Sequence, residues 1–186
     1  MSHPSKTNTG GIHYGWLIVL AGTLAIFACL GLARFAFGIL LPSMREALGM
    51  SYDQMGLLGT ANFAGYLLAV GLAPLLLRNL SPRILISTGL VLVAFGMLLI
   101  GNSGSYLAVL MLYSLVGIGS GLANIPVMVL VSYWFRREHR GRAAGLIVTG
   151  SGFAIIFSGL LIPLLNARFA PDGWRIGWIL LGLIVL

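Results

Sequence analysis

The chain has 186 residues, of which 59% are hydrophobic and only 8% are charged, and its formal net charge is +7. Since a soluble domain carries about 25% charged residues, this composition excludes a water-soluble protein and predicts an integral membrane protein. The basic residues lie mostly in short segments between apolar runs, which indicates membrane orientation rather than nucleic-acid binding. The chain has a single cysteine, Cys29, which excludes an intrachain disulfide, and no metal site or cofactor is expected.

Six apolar runs predict six membrane-spanning helices, because a bilayer core needs about 20 apolar helical residues and alternating strand patterns are absent. The runs cover residues 16–41, 54–77, 84–101, 106–135, 143–167 and 174–186. A helix over the last run would reach only about 20 Å, against about 30 Å of hydrocarbon, so we expect the sixth helix to be truncated. The predicted fold is an all-α, polytopic six-helix transmembrane bundle over residues 14–186, after a tail of residues 1–13.

The distribution of basic residues predicts the orientation of the bundle. Seven lie on the side of the N-terminus: Lys6, Arg78, Arg83, Arg136, Arg137, Arg140 and Arg142. Three lie on the other side: Arg45, Arg168 and Arg175. Because basic loops stay cytoplasmic, the N-terminus is predicted to be cytoplasmic.

Arg34 interrupts the first apolar run, where a charge costs about 2.5 to 3.5 kcal/mol on insertion scales. Such a residue usually faces a protein interior or a wet cavity. Two interpretations remain open. Arg34 either anchors an anionic substrate, or is a structural arginine satisfied by helix carbonyls or by extension toward the headgroups. No Asp or Glu lies within the predicted spans, so its counter-charge is a ligand or lies on another segment.

Three polar side chains in other spans are candidates for the same interior. Asn62 and Tyr66 lie four residues apart in the second span and so share a helix face. They either line a cavity with Arg34 or form an interhelical hydrogen bond, which is worth about 0.6 kcal/mol on average. Asn124 precedes Pro126 in the fourth span, where it either lines a cavity or satisfies the backbone that the proline frees, and the second interpretation is favoured.

Glycines are frequent in the fourth and fifth spans. Gly117-Ile-Gly-Ser120-Gly121 is compatible with an intramembrane serine protease, but no histidine base lies in a span. Close helix packing is the better interpretation. The same role is expected for four glycines of the fifth span: Gly145, Gly150, Gly152 and Gly159.

Several segments together resemble the N-terminal six-helix half of a major facilitator superfamily transporter, and within it the bacterial YbfB/YjiJ-like group. The segments are residues 31–38, 41–45, 59–67, 134–135, 140–145 and 173–175. The resemblance implies a twelve-helix protein of two halves, with alternating access and a substrate site near the midplane between them. It places five residues near the substrate: Arg34, Asn62, Tyr66, Asn124 and Thr149.

The resemblance makes four arginines of the cytoplasmic loops candidates for gating contacts: Arg78, Arg83, Arg136 and Arg142. Topology and contact with anionic lipid are a sufficient alternative for the basic run 136–142. One departure is clear, because Leu77 stands where the superfamily's loop between helices two and three carries an aspartate. The resulting hypothesis is secondary active transport of a small solute in a bacterial inner membrane, with an organic anion suggested by Arg34. The expected partners are the lipid bilayer and a C-terminal six-helix half. The alternatives are a self-contained six-helix channel or homodimerising half-transporter and, with less support, the protease.

Overall fold

The computed structural model describes residues 14–186, and these form six helices joined by short turns. Helix α1 runs through three consecutive segments, Tyr14–Ile26, Phe27–Phe35 and Ala36–Leu48. The others are α2 (Tyr52–Leu76), α3 (Pro82–Asn102), α4 (Tyr106–Trp134), α5 (Arg137–Arg168) and α6 (Gly173–Val185). The first five are long and apolar enough to cross a bilayer, and α6 is a shorter apolar helix of 13 residues. The predicted all-α membrane bundle is confirmed, whereas the tail of residues 1–13, with Lys6, lies outside the described residues.

The turn between α1 and α2 follows from local sequence chemistry. Gly49 ends α1 with a positive φ of 61°, a backbone conformation that glycine adopts without steric cost. Ser51 then starts α2 with a capping box. Its hydroxyl accepts a hydrogen bond from the Gln54 backbone N–H at 3.2 Å, and the Gln54 side chain accepts one from the Ser51 N–H at 3.0 Å. These contacts satisfy backbone donors that the start of a helix leaves free.

Two helices extend beyond their predicted spans. α1 continues to Leu48 rather than ending near residue 41, with Pro42 inside the helix. α5 begins at Arg137 rather than at residue 143, so the predicted basic loop is mostly the first two turns of a helix. Hydropathy identifies only the part of a helix that crosses hydrocarbon. Polar helix ends that project into water are therefore assigned to loops by that criterion.

Helices α1 and α4 form the centre of the bundle. Buried residues make up 50% of the apolar window of α1 and 56% of that of α4, against 22% in α2 and 28% in α5. α2 and α3 both pack on α4, whereas α5 packs on α1, and α6 packs mainly on α3. Consequently α2 and α5 each present a broad apolar face that no other described helix covers.

Glycines set how closely the helices approach, but not at every predicted position. A Cβ added at Gly117 of α4 would overlap the backbone carbonyl oxygen of Asn62 in α2. In α5, a Cβ at Gly150 would overlap the carbonyl oxygen of Thr23. At the other three glycines of that helix the described residues do not show the predicted close packing, because nothing lies within 4 Å of an added Cβ at Gly145, Gly152 and Gly159.

The short helix α6 is fastened at its predicted outer end by Arg175. Its Nη1 donates hydrogen bonds to the carbonyl oxygens of Gly101 at 3.3 Å and Ser103 at 2.6 Å. Its Nε lies 3.2 Å from the Asp172 carboxylate, the only ion pair among the described residues. Arg175 therefore has a structural role, since it joins α6 to the end of α3.

Candidate functional site

The middle of α1 is wound as a π-helix from Phe27 to Phe35, with Arg34 in its last turn. The backbone N–H of Ala36 bonds to the carbonyl of Gly31, five residues earlier. Such turns are rare and frequently occur at functional sites. Across the helix interface, the buried Ser120 of α4 donates a hydrogen bond to the carbonyl oxygen of Cys29 at 2.7 Å. A side chain of α4 therefore stabilises the irregular segment that carries Arg34.

Replacing Ser120 with alanine is expected to destabilise the bundle, because the Cys29 carbonyl would lose a partner in a region without water. Interhelical hydrogen bonds in membranes average about 0.6 kcal/mol and reach about 1.7 kcal/mol. Thermal unfolding in detergent should show a lower midpoint. Ser114→Ala is the matched control, because the Ser114 hydroxyl bonds only to Leu110 of its own helix, at 2.8 Å. Equal midpoints for the two variants would contradict this role of Ser120.

Arg34 extends from α1 toward α2 and is half-buried. Its guanidinium carbon lies 3.7 Å from the ring centroid of Phe63 and 4.7 Å from that of Tyr66. Contacts of a cation with an aromatic face are worth about 0.5 to 2 kcal/mol. Nε and Nη2 of Arg34 are nevertheless buried and have no hydrogen-bond partner among the described residues. The guanidinium thus contacts two aromatic rings, while two of its three nitrogen atoms have no hydrogen-bond acceptor among the described residues.

No carboxylate among the described residues forms an ion pair with Arg34. The acidic residues of the described chain lie at helix ends: Glu46, Asp53, Glu138 and Asp172. Glu46, in the same helix, is 12 residues away, or about 18 Å at the rise of an α-helix. The acidic residues that the structure adds to the helices therefore lie at helix ends, and none of them is seen in contact with Arg34.

Tyr66 connects Arg34 to Asn124. The ring of Tyr66 lies beneath the guanidinium, and its hydroxyl oxygen accepts a hydrogen bond from Nδ2 of Asn124 at 2.7 Å. The favoured interpretation of Asn124 is wrong, because its amide reaches across to α2 instead of satisfying the backbone near Pro126. Oδ1 of Asn124 is buried and unpaired among the described residues. The structure thus brings together three predicted residues, from α1, α2 and α4.

Asn62 is only 2% exposed and packs in the interface between α2 and α4. Its Nδ2 donates a hydrogen bond to the backbone carbonyl of Tyr113 at 2.9 Å. Of its two interpretations, this geometry matches the interhelical hydrogen bond. Tyr113 in turn stacks on Phe37 of α1, with ring centroids 4.4 Å apart. Asn62 therefore fixes the rotation of α2, which also carries the rings that contact Arg34.

Thr149 lies on the exposed side of α5. Its hydroxyl donates a hydrogen bond to the carbonyl of Leu146, one turn earlier in the same helix, at 2.6 Å. A threonine that bonds to its own helix presents little unsatisfied polarity. In this structure the hydrogen-bonded group around Tyr66 does not include Thr149, and its place near a substrate remains a prediction.

The predicted gating arginines lie around the end of the bundle where α2 and α4 finish. Arg78 is in the turn after α2, and Arg83 is the second residue of α3. Arg136 precedes the first residue of α5, and Arg142 lies inside that helix rather than in a loop. Two cavities open here and share Trp134 as a wall. One is lined by Arg83, and the other by Arg136 and Arg142.

Phe63 is absent from the predicted site residues, although its ring is the closest aromatic neighbour of Arg34. It lies three residues before Tyr66, so both rings project from one face of α2. That spacing, with an unpaired arginine in a neighbouring span, is a usable signal for a cation–π pair. The π-helical winding of α1 has no comparable signal in the residue pattern.

The comparisons with known proteins agree with this architecture. The sequence profile of the Major Facilitator Superfamily matches residues 23–186. A solved structure of a bacterial homologue of the human lysosomal transporter Spinster, inward-facing and occupied, superposes with a TM-score of 0.79. The superposition covers 95% of this chain and 44% of the Spinster homologue, at 20% sequence identity, and it shows that the two share a fold.

Three curated relatives match most of this chain but only about a third of their own length. A phosphoglycerate transporter protein of Salmonella typhimurium is 27% identical over 157 residues, 84% of this chain and 32% of the relative. A probable sulfoacetate transporter of Cupriavidus necator is 26% identical over 82% of this chain and 35% of the relative. Monocarboxylate transporter 2 of Mesocricetus auratus is 26% identical over 99% of this chain and 37% of the relative. The chain thus spans about a third of the length of these three relatives.

These matches replace the protease interpretation, because the superfamily consists of transporters rather than enzymes. The narrower resemblance to the YbfB/YjiJ-like group stays a prediction. Five long apolar helices, a polar group at the centre of the bundle and a profile match over residues 23–186 lead to one assignment. The chain belongs to the Major Facilitator Superfamily of membrane transporters.

Proposed function

We propose that this chain contributes the N-terminal half of a secondary active transporter that moves a small organic anion by alternating access. The single observation that carries the proposal is Arg34, whose Nε and Nη2 are buried without a hydrogen-bond partner among the described residues. A positive charge inside a membrane protein normally has a partner. Because the described acidic residues all lie at helix ends, the partner we infer is the transported anion.

The names of several relatives are consistent with an anionic substrate. They name phosphoglycerate, sulfoacetate and monocarboxylates, all of which are anions near neutral pH. These substrates belong to those proteins. For this chain the common element is a negatively charged group that a guanidinium can bind through two parallel hydrogen bonds.

A second six-helix half is the partner that we infer for the uncovered faces of α2 and α5. Large apolar side chains are exposed on both faces: Phe63, Leu67, Leu68 and Leu72 on α2, and Phe153, Ile156, Leu160 and Leu164 on α5. Three glycines of α5 leave room for a close helix neighbour, and none is present among the described residues. Rocking of two such halves around Arg34 would open the site to each side of the membrane in turn.

The second candidate is a half-transporter that pairs with a copy of itself, for which the same open faces provide the contact. Reading the gene beyond the codon for Leu186 separates the two. Six further apolar spans support the two-half transporter. A stop codon shortly afterwards supports the self-pairing form.

The function itself is tested by binding and uptake with the complete gene product. A panel of small carboxylates, sulfonates and phosphate esters, with neutral and cationic solutes of similar size, is screened by thermal stabilisation in detergent. We expect stabilisation by at least one anion class and by none of the cations. Uptake of the stabilising anion into proteoliposomes then demonstrates transport, and preference for a cation would overturn the proposal.

The proposed orientation, with a cytoplasmic N-terminus in a bacterial inner membrane, has its own test. Cys29 is buried, so Cys29→Ala gives a cysteine-free background with little change to the surface. Asn79→Cys lies in the turn between α2 and α3, and Ser103→Cys in the turn between α3 and α4. In intact spheroplasts, a membrane-impermeant maleimide should label Ser103→Cys at once and Asn79→Cys only after permeabilisation. The reverse pattern would show an inverted topology.

A further inference from the structure

Tyr66 contacts two residues that carry unsatisfied polar atoms, donors on Arg34 and an acceptor on Asn124. On one side, Nε and Nη2 of Arg34 are donors without an acceptor among the described residues. On the other side, Oδ1 of Asn124 is an acceptor without a donor there, while Nδ2 of the same amide bonds to the Tyr66 hydroxyl oxygen at 2.7 Å. Buried polar atoms are normally paired. Two complementary exceptions, linked through one tyrosine, indicate a ligand that satisfies both.

We propose that the transported anion carries a hydroxyl group close to its carboxylate, so that the substrate class is a short hydroxycarboxylate. This inference rests on the anion-binding role of Arg34 proposed above. The carboxylate accepts hydrogen bonds from Arg34, and the substrate hydroxyl donates to Oδ1 of Asn124. The Tyr66 hydroxyl already accepts from Asn124, so its own proton is free to donate to the substrate.

The unpaired atom of Asn124 determines which substituent fits. Oδ1 only accepts hydrogen bonds, so it pairs with a hydroxyl, whereas a keto oxygen at that position would face it acceptor to acceptor. A methylene group would leave Oδ1 unpaired and without water. An ammonium group would also donate, but it would lie near the Arg34 cation with no acidic side chain close by among the described residues. Among these four substituents, the hydroxyl is the one that donates a hydrogen bond to Oδ1 without adding a second positive charge.

Phe63 covers the site on its open side. Its ring lies 3.7 Å from the guanidinium carbon of Arg34 and is 57% exposed on the uncovered face of α2. Nε and Nη2 are sealed from solvent in this arrangement. Rotation of the Phe63 ring away from the guanidinium provides a route by which the carboxylate replaces the aromatic contact.

The experiment compares four three-carbon acids that differ at one substituent: propionate, pyruvate, lactate and 3-hydroxypropionate. Their affinities are measured with the complete gene product by inhibition of uptake and by thermal stabilisation. We expect at least one of the two hydroxy acids to bind about tenfold or more tightly than propionate and pyruvate, which reflects the penalty for leaving a buried acceptor unpaired. Asn124→Ala should reduce this ratio to about one. Asn102→Ala is the matched control, because the Asn102 side chain bonds only to Leu98 in its own helix, at 2.8 Å.

The outcomes separate this inference from the function on which it rests. If Arg34→Ala abolishes binding of all four acids but the hydroxy acids show no advantage, the hydroxyl contact is wrong and the anion site stands. A hydroxyl preference that survives Asn124→Ala would also overturn the contact. If Arg34→Ala leaves all four affinities unchanged, the anion site itself is wrong, and the hydroxycarboxylate class fails with it.

Discussion

Replacing Arg34 with alanine should abolish uptake of the anionic substrate by the complete transporter. Truncating one partner of a buried, hydrogen-bonded charge pair costs about 2 to 5 kcal/mol, or at least about thirtyfold in affinity. Arg34 is the only charged side chain in the hydrogen-bonded and aromatic group around Tyr66, so no neighbour among the described residues takes over its role. Initial uptake rates of a radiolabelled anion in proteoliposomes measure the effect.

Folding should survive this substitution, which makes the uptake result interpretable. The variant loses two aromatic contacts but also removes buried donors that have no partner, so the thermal unfolding midpoint should stay the same or rise. Arg34→Lys should restore part of the activity, since lysine keeps the charge but lacks the planar fork of donors. Arg45→Ala is the control, because Arg45 bonds to the Met50 carbonyl at 3.3 Å in the turn after α1. Full uptake by Arg34→Ala would refute the anchor role.

The residue pattern was sufficient to predict the helices and the position of the polar centre. Hydropathy identified six helices because the bilayer demands about 20 apolar residues from each full span. Arg34 was identifiable because a charge in hydrocarbon is expensive, and the face shared by Asn62 and Tyr66 follows from helical periodicity. These features could be predicted because they depend only on the local sequence and on the hydrocarbon that surrounds every span.

Features that depend on contacts between helices could not be predicted in the same way. The π-helical winding at residues 27–35 places Arg34 beside α2, yet nothing in the run Phe27–Phe35 distinguishes it from ordinary helix. The partner of Asn124 depends on which face of α4 meets α2, and this is set by the glycines of the interface. Hydropathy did not identify the helical start of α5 at Arg137, because the charged side chains at this helix end are solvated and make the segment polar.

Packing and site geometry are coupled through the interface between α2 and α4. Gly117 lies against the Asn62 backbone, and Asn62 holds α2 through the Tyr113 carbonyl. One residue after Asn62, Phe63 contacts Arg34, and one turn later Tyr66 does so too. A small displacement of α2 at Gly117 would therefore move both aromatic rings away from the guanidinium.

Gly117→Ala is consequently expected to lower both stability and anion affinity. The new Cβ would overlap a backbone carbonyl oxygen, which cannot turn aside as a flexible side chain can, so α2 and α4 must separate. Overpacking of this kind typically costs about 1 to 3 kcal/mol. The thermal unfolding midpoint in detergent reports the loss of stability, and the affinity for the anion reports the displaced rings.

Gly59→Ala is the matched substitution on α2, because nothing lies within 4 Å of a Cβ added at Gly59. In the 186-residue chain we expect its unfolding midpoint to equal or exceed that of the unmodified protein, because alanine is favoured over glycine inside a helix. If Gly117→Ala and Gly59→Ala shift the midpoint equally, the close approach of α2 and α4 does not control stability. A lower midpoint for Gly59→Ala in the complete transporter alone would instead show that another helix covers this face there, as expected of a second half that packs on α2.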